Sequence, residues 1–257
     1  LNPVQIENRK PGTSAWILDK PARNHEIEGY ASSTSVNRGE TILLYVNTTA
    51  PTYRMTVYRM GWYNGLGARE VLGPTKHTGQ VQPPPYRDSV TGLVECRWTH
   101  PIALTIPTGQ GADEWPSGFY LAKLTTDPLE DSNYILFVVR DDTRPSPYLF
   151  QSSVLTFQAY NNWGGASLYG FNSERGSAVM VSFDRPYATA AGGFLWDWEY
   201  NMVRWLEHEG YDVAYATNLD VHRNPTLLMS HRAFLSVGHD EYWSWNMRRH
   251  VCLLYTS

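Results

Sequence analysis

The sequence predicts a two-domain α+β chain: an antiparallel β-sandwich with an N-terminal arm over residues 1–142, then a doubly wound α/β domain over residues 143–257. Three observations predict it. Short runs rich in Val, Ile, Thr and Tyr, separated by turn clusters, fill Glu26 to Arg140. A polar, Pro-bearing hinge, Asp141-Asp142-Thr143-Arg144-Pro145-Ser146-Pro147, ends them. Beyond the hinge, strand-like runs alternate with apolar residues recurring at three and four, as on a helix.

In the first domain the strand candidates are Thr41 to Val46, Tyr53 to Met60, Ile102 to Ile106, Gly118 to Leu124 and Tyr134 to Val139. Between them lie the turn clusters Asn37-Arg38-Gly39, Asn64-Gly65-Leu66-Gly67 and Gln82-Pro83-Pro84-Pro85. Many short strands without a long helical period imply a sandwich, and Trp115 to Leu124 looks like a late strand of an immunoglobulin-like domain.

In the second domain Leu149 to Phe157 reads as a buried strand. Phe194 to Glu209 reads as a helix, with Phe194, Leu195, Trp198, Met202, Trp205 and Leu206 on its apolar face and Gly210 just past its end. Trp196, Trp198 and Trp205 are expected in the core. Tyr211 to Ala216 follows as a strand, Asn224-Pro225 opens a second helix, Ala233 to Val237 is a third strand, and a third helix starts near Trp243. Cys252 to Ser257 stops that helix without a cap, so the domain reads as truncated at its C-terminus, with residues 252–257 a non-native tail.

Composition narrows the function. Charged residues are 18% and hydrophobic residues 42%, and 10 Trp and 17 Tyr give the chain enough to bury, which excludes disorder as its main state. A net charge of −4 argues against nucleic acid as a partner. The longest apolar run, Ile135 to Val139, is too short to cross a membrane. A soluble chain is expected, with the cytoplasm the favoured compartment. Cys96 and Cys252 allow at most one disulfide and have no metal-ligand spacing.

In an open α/β sheet ligands sit outside the carboxyl ends of the strands. Two segments bring polar groups there: Gln158 to Gly165 after the first strand, and Gly238 to Ser244 after the third. Residues two apart in extended backbone share a side, so His239 and Glu241 face one way and Asp240 the other. An imidazole and a carboxylate at a strand end suit a metal or general acid–base chemistry. The plainer readings are a solvated junction capped by Asp240 or Ser244, a packed rim role for Tyr160, turn roles for Asn161 and Asn162, and a sandwich-core role for Tyr120.

The blocks Tyr58-Arg59-Met60-Gly61-Trp62-Tyr63, Gly92 to Cys96, Trp115 to Tyr120, Gln158 to Gly165 and Gly238 to Trp243 resemble the large (beta) subunit family of N,N-dimethylformamidase, from about Asn2 to Val251. The resemblance implies a hydrolase of linear amide C–N bonds with a mononuclear Fe(III) held by two tyrosines and a glutamate. Its second half resembles the glutamine amidotransferase fold. Carried over residue by residue, Tyr120, Tyr160 and Glu241 are the metal ligands and His239 is the catalytic proton carrier. Asn161, Asn162 and Trp163 are the candidate substrate-binding residues. The implied partners are a small amide, a small subunit and further copies of the chain. The family's N-terminal lectin-like domain is not found here. Phenolates and a carboxylate are hard donors that favour Fe(III) over softer-ligand metals.

Two rivals stand beside this reading. One is a carbohydrate- or protein-binding module with an inactive α/β domain, its platform Trp62, Tyr63 and Trp98. The other is a metal-free hydrolase, disfavoured because the turn at Gly238 to Glu241 has no Cys or Ser nucleophile.

Overall fold

The computed structural model describes residues 1–193 and 195–256. The chain opens with a short helix, α1 (Pro3–Glu7), capped by Asn2. Ten strands follow: β1 (Ile27–Ala31), β2 (Ser35–Asn37), β3 (Thr41–Thr48), β4 (Thr52–Met60), β5 (Ala68–Thr78), β6 (Tyr86–Arg87), β7 (Val94–Glu95), β8 (Ile102–Thr105), β9 (Gly118–Asp127) and β10 (Ser132–Arg140). A three-stranded sheet has the order β1-β3-β8 and a five-stranded sheet the order β2-β10-β9-β4-β5; β6 and β7 form a separate ribbon.

Successive side chains of a strand face opposite ways, and that period decides what the five-stranded sheet touches. Tyr53, Met55, Val57, Tyr120, Ala122, Leu124, Ile135, Phe137 and Val139 share a core with Ile42, Leu44 and Val46 of the smaller sheet. Tyr58, Met60, Phe119, Leu121, Tyr134, Leu136 and Val138 point the other way, into a second core with the C-terminal half. The sheet is therefore buried on both faces. That explains why Ile135 to Val139 reads as an unbroken apolar run.

The C-terminal half holds β11 (Tyr148–Ser152), α2 (Val154–Tyr160), α3 (Tyr200–His208), β12 (Val213–Thr217), α4 (Asn218–Arg223), β13 (Ala233–Ser236) and α5 (Trp245–Thr256). Its strands are parallel, in the order β12-β11-β13. Val203 and Leu206 of α3 pack on the face turned towards the five-stranded sheet. Val221 of α4 and Met247 of α5 cover the other face.

Several expectations change. The run from Leu149 is a strand only to Ser152, and Val154 to Tyr160 is helical. Phe194 lies outside the described residues. The helix expected from it begins with a π-helical turn at Leu195–Glu199 before α3. Trp198 and Trp205 are about half exposed rather than core, at 49% and 47%, whereas Trp196 stacks on Trp16. The second helix precedes Asn224-Pro225, because Thr217 and Asp220 form a capping box that starts it at Asn218. Helix α5 runs through Cys252 to Thr256 without a stop. Strand β5 went unseen because its Gly73-Pro74 pair argues against a central strand; as a sheet edge it tolerates proline.

Candidate functional site

The strand order reverses at β11, whose neighbours β12 and β13 are reached by crossovers that leave helices on opposite faces. A crevice opens at the carboxyl ends of two adjacent strands at such a point. From β11 the chain enters α2, whose last residue is Tyr160. From β13 it enters the segment carrying His239 and Glu241. Thr156 of α2 joins the two, since its buried hydroxyl accepts the Glu241 amide at 2.9 Å. Asp240 turns inward and accepts from Gln151 (2.8 Å), Ser236 (2.7 Å) and Asn218 (3.2 Å). Gly238 has φ +69°, and a Cβ there would meet Trp198 Cβ at 2.4 Å, so the turn has room for glycine alone.

The Glu241 carboxylate is the centre of the cluster. Its Oε2 accepts the Tyr160 hydroxyl at 2.9 Å and lies 3.0 Å from His239 Nε2. Its Oε1 accepts the Tyr169 hydroxyl at 2.8 Å. Tyr169 and Tyr242 share a hydrogen bond of 2.7 Å between hydroxyls. The rings of Tyr160 and Tyr169 lie 4.2 Å apart, and His239 stands edge-on to Tyr160 at 5.4 Å. Tyr169's hydrogen bond foremost, then that of Tyr160 and the nearby imidazole, hold the Glu241 carboxyl below its usual range. Burial and the hydrogen bonds to Tyr160, Tyr242 and Glu241 raise the Tyr169 phenol. For Tyr160 the Tyr169 bond acts downwards, but burial and the Glu241 carboxylate outweigh it and the phenol is raised. The resting cluster is thus an ionised carboxylate holding two protonated phenols.

Tyr160, His239 and Glu241 are brought together as the sequence predicts; Tyr120 is not among them. Its place on β9 points it into the sandwich core, where it is 0% exposed, stacks on Trp115 (5.3 Å) and Phe137 (5.7 Å), and donates to the Pro116 carbonyl at 2.7 Å. A shift of one residue does not rescue the assignment, because Phe119 and Leu121 face the α/β half and carry no oxygen.

The substrate-binding assignments change too. Asn161 spends its hydrogen-bonding capacity inside the fold, donating to Gln158 and Pro186 and accepting from the amides of Trp163 and Ala188. Trp163 is buried, with its indole donating to Glu28 at 2.8 Å. Asn161 and Asn162, but not Trp163, line a cleft next to Tyr160. That cleft, of ≈ 230 Å³, also has Phe157, Tyr187 and Asp197 in its walls. A larger cleft of ≈ 790 Å³ between sandwich and α/β half has Arg23, Glu28, Arg87 and Glu174 in its walls. The two share Asn162 and Tyr187 to Thr189.

Sequence reasoning missed Tyr169. It lies in a loop folded back on α2: Asn172 donates to the Tyr160 carbonyl and Asn162 donates to the Asn172 carbonyl, both at 3.0 Å. The available signal was a second tyrosine, followed by Gly170-Phe171-Asn172, shortly after the reversing Gly164-Gly165 pair.

The aromatic platform of the rival binding-module reading does not exist. Tyr63 is 0% and Trp98 6% exposed, and Trp62 is half-buried against His208 and beneath Arg204.

Among the described residues no group of three His, Cys, Asp or Glu side chains could hold a metal ion, so a metal at this edge needs the phenol oxygens. The Tyr160–Glu241 and Tyr169–Glu241 separations of 2.9 and 2.8 Å are hydrogen-bond lengths, made to different carboxylate oxygens, and they bring three hard oxygen donors of the kind a ferric ion takes to one edge. No described helix is long and apolar enough to cross a membrane.

Among solved structures, the chain is similar to an AA10 lytic polysaccharide monooxygenase from Streptomyces lividans (18% identity, 42% of this chain and 58% of that one, TM-score 0.25). It is also similar to murine CEACAM1b (16% identity, 49% and 62%, TM-score 0.22). Scores so low carry no argument. A curated relative, the N,N-dimethylformamidase beta subunit of an Alcaligenes species, is 24% identical over 196 residues. The match covers 60% of this chain and 25% of the relative, so the chain spans only part of that protein. The family model for the C-terminal part of N,N-dimethylformamidase beta subunit-like proteins matches residues 54–253, and the chain belongs to that family.

Proposed function

We propose that the chain is the site-bearing part of an iron-dependent amidohydrolase of the dimethylformamidase type, acting on a small N-substituted amide. The observation that carries this is the Glu241 carboxylate receiving two phenol hydroxyls, at 2.9 and 2.8 Å, beside an imidazole at 3.0 Å. Tyr160, Tyr169 and Glu241 are the three hard oxygen donors for Fe(III), with Tyr169 taking the place first given to Tyr120. When bound, such an ion polarises an amide carbonyl and acidifies water.

The chain's own groups do the rest. The cleft of ≈ 230 Å³ beside Tyr160 is below the usual range for drug-sized ligands and suits a small amide. The His239 imidazole, whose Nε2 lies 3.0 Å from Glu241 Oε2, holds a proton for the departing amine, a role in which imidazole contributes about 10²- to 10⁴-fold. Asn162 lines the wall where an amide's substituents would lie. The relative is by name a subunit, and a partner subunit and further copies of the chain belong to the same proposal. So does the kinship of the two parts with immunoglobulin-like and glutamine-amidotransferase-like folds.

The test is iron content in four variants. Tyr160→Phe, Tyr169→Phe and Glu241→Ala are expected to lose iron and the colour of a phenolate–iron charge transfer. Tyr120→Phe is expected to keep both and lose about 1 kcal/mol of stability with its bond to Pro116. Full iron in Glu241→Ala, or a folded Tyr120→Phe without iron, overturns the assignment.

A further inference from the structure

Arg185 is 1% exposed, yet no carboxylate lies within ion-pairing distance of it among the described residues. The other two deeply buried arginines differ: Arg59 pairs with Glu207 and Arg69 with Glu7. Burying a guanidinium without a counter-ion costs several kcal/mol. The compensation here comes from one short stretch of chain. Nε donates to Gln158 Oε1 at 3.1 Å, Nη1 to the Trp163 and Ala166 carbonyls at 3.1 and 2.8 Å, and Nη2 to the Asn161 carbonyl at 2.8 Å. Burial pulls the group down to about 10, which leaves it cationic at neutral pH.

All four acceptors lie between residues 158 and 166, the stretch that leaves α2 through Tyr160 and reverses at Gly164 and Gly165 (φ +75° and +85°). The reversal turns three backbone carbonyls inward, and inward carbonyls away from water need a donor. The planar five-donor guanidinium meets several directions at once, which a lysine ammonium on its longer flexible stem does not reproduce. The same curl sets the return path to Tyr169: Leu168 N bonds Ala159 O at 3.0 Å and Glu174 N bonds Gly165 O at 3.0 Å.

We propose that Arg185 is the positioning residue of the site: its guanidinium is the internal cation around which residues 158–166 wrap, and it thereby fixes Tyr160 and Tyr169 on Glu241. The inference rests on the reading of those three side chains as the site, but its loop half is tested separately.

The experiment compares wild type with Arg185→Lys and Arg185→Gly, the latter with and without added guanidinium ion. Two readouts are taken: amide hydrogen exchange by segment, and ferric-ion titration followed by the phenolate charge-transfer band. Exchange in residues 159–168 is expected to rise at least about tenfold in both variants while β11 and β12 stay protected. Ferric affinity is expected to fall by about 10- to 100-fold, as when other outer groups that orient ligands are removed. Guanidinium is expected to restore both in Arg185→Gly. Unchanged loop exchange in the folded Arg185→Lys overturns the proposal. So does exchange that rises equally in the strands, which would make Arg185 a general core residue. Loss of loop protection with unaltered ferric affinity overturns the positioning role. A wild type that takes up no iron defeats the proposed function, while the exchange readout still judges the loop.

Discussion

Glu199 shows how one side chain's surroundings set its chemistry. It is 1% exposed behind the carboxyl end of β11, where it accepts from the Ser152 hydroxyl at 2.7 Å and the Ser153 amide at 2.6 Å. Burial outweighs those bonds, and its carboxyl is pushed up to about 8 from 4.5. The folded state therefore holds a proton that the unfolded state has lost between those two values. Glu199's stabilisation is complete below pH 4.5, falls as pH rises towards 8 and is flat above, a swing on the order of a few kcal/mol. Glutamine imitates the protonated acid. Glu199→Gln is expected to match wild type in melting temperature near pH 4 and to exceed it near pH 8.5. Parallel melting curves for the two proteins across that range would show that the carboxyl is not held protonated. Glu241 behaves oppositely, since donors at both its oxygens favour its charge. A cation that takes the two phenols must expel their protons, so ferric affinity is expected to rise with pH by up to about tenfold per unit per proton released. Titrations in buffers of different ionisation heat count those protons, and a count of zero would exclude the phenols as ligands.

At the scale of elements, the Arg59-Met60-Gly61-Trp62-Tyr63 block turns out to be a clamp rather than part of the site. Arg59 at the end of β4 makes two bonds to Glu207 of α3, at 2.9 and 2.8 Å, and donates to Tyr63 at 3.0 Å. Tyr63 donates to Glu7 of α1 at 2.7 Å, and Glu7 pairs with Arg69 of β5 at 2.6 Å. A Cβ on Gly61 would sit 2.4 Å from the Glu207 carboxylate, so the motif's glycine makes room for the pair. Removing one partner leaves a buried charge alone, and Glu207→Gln is expected to cost about 3–5 kcal/mol in chemical denaturation. A loss under about 1 kcal/mol would mean that water reaches Arg59. The motif was legible in the sequence as unusual, but its purpose was not, because Glu207 lies 148 residues away. Strands β3, β4, β8, β9 and β10 were legible because runs rich in Val, Ile, Thr and Tyr between turn clusters report them. The Tyr160, His239 and Glu241 grouping was legible from strand-end placement together with family resemblance. Tyr120 misled because a tyrosine in a strand is assigned to one face or the other only once the sheet's neighbours are known. Tyr169 was hidden because its loop closes through backbone carbonyls, which no side-chain pattern encodes.

For the whole molecule, the five-stranded sheet is the shared middle layer. Its odd-numbered β4 residues Tyr53, Met55 and Val57 pack on the small sheet, and Tyr58 and Met60 pack towards α3 and the parallel strands. Phe119 of β9 meets Phe150 of β11 and Tyr215 of β12 at 5.7 and 5.5 Å, so rings from both halves interlock in one core. Polar contacts reinforce the join: Arg140 bonds Asp220 at 2.9 Å, and the Ser117 hydroxyl accepts from the Tyr215 amide at 2.9 Å and donates to the Tyr215 carbonyl at 3.4 Å. Independent domains usually meet through modest polar interfaces and move relative to one another. A sheet with two buried faces has no such freedom, because peeling off the α/β half exposes Tyr58, Phe119, Leu121, Leu136 and Val138 together. The two halves are therefore expected to unfold as one unit despite their different textures. Scanning calorimetry should give a single transition with calorimetric and van't Hoff enthalpies in agreement. Phe119→Ala, which empties the shared core by about 3–5 kcal/mol, should lower that one transition as a whole. Two separated transitions, with only one of them moved by the substitution, would show that the site-bearing half stands without the sandwich.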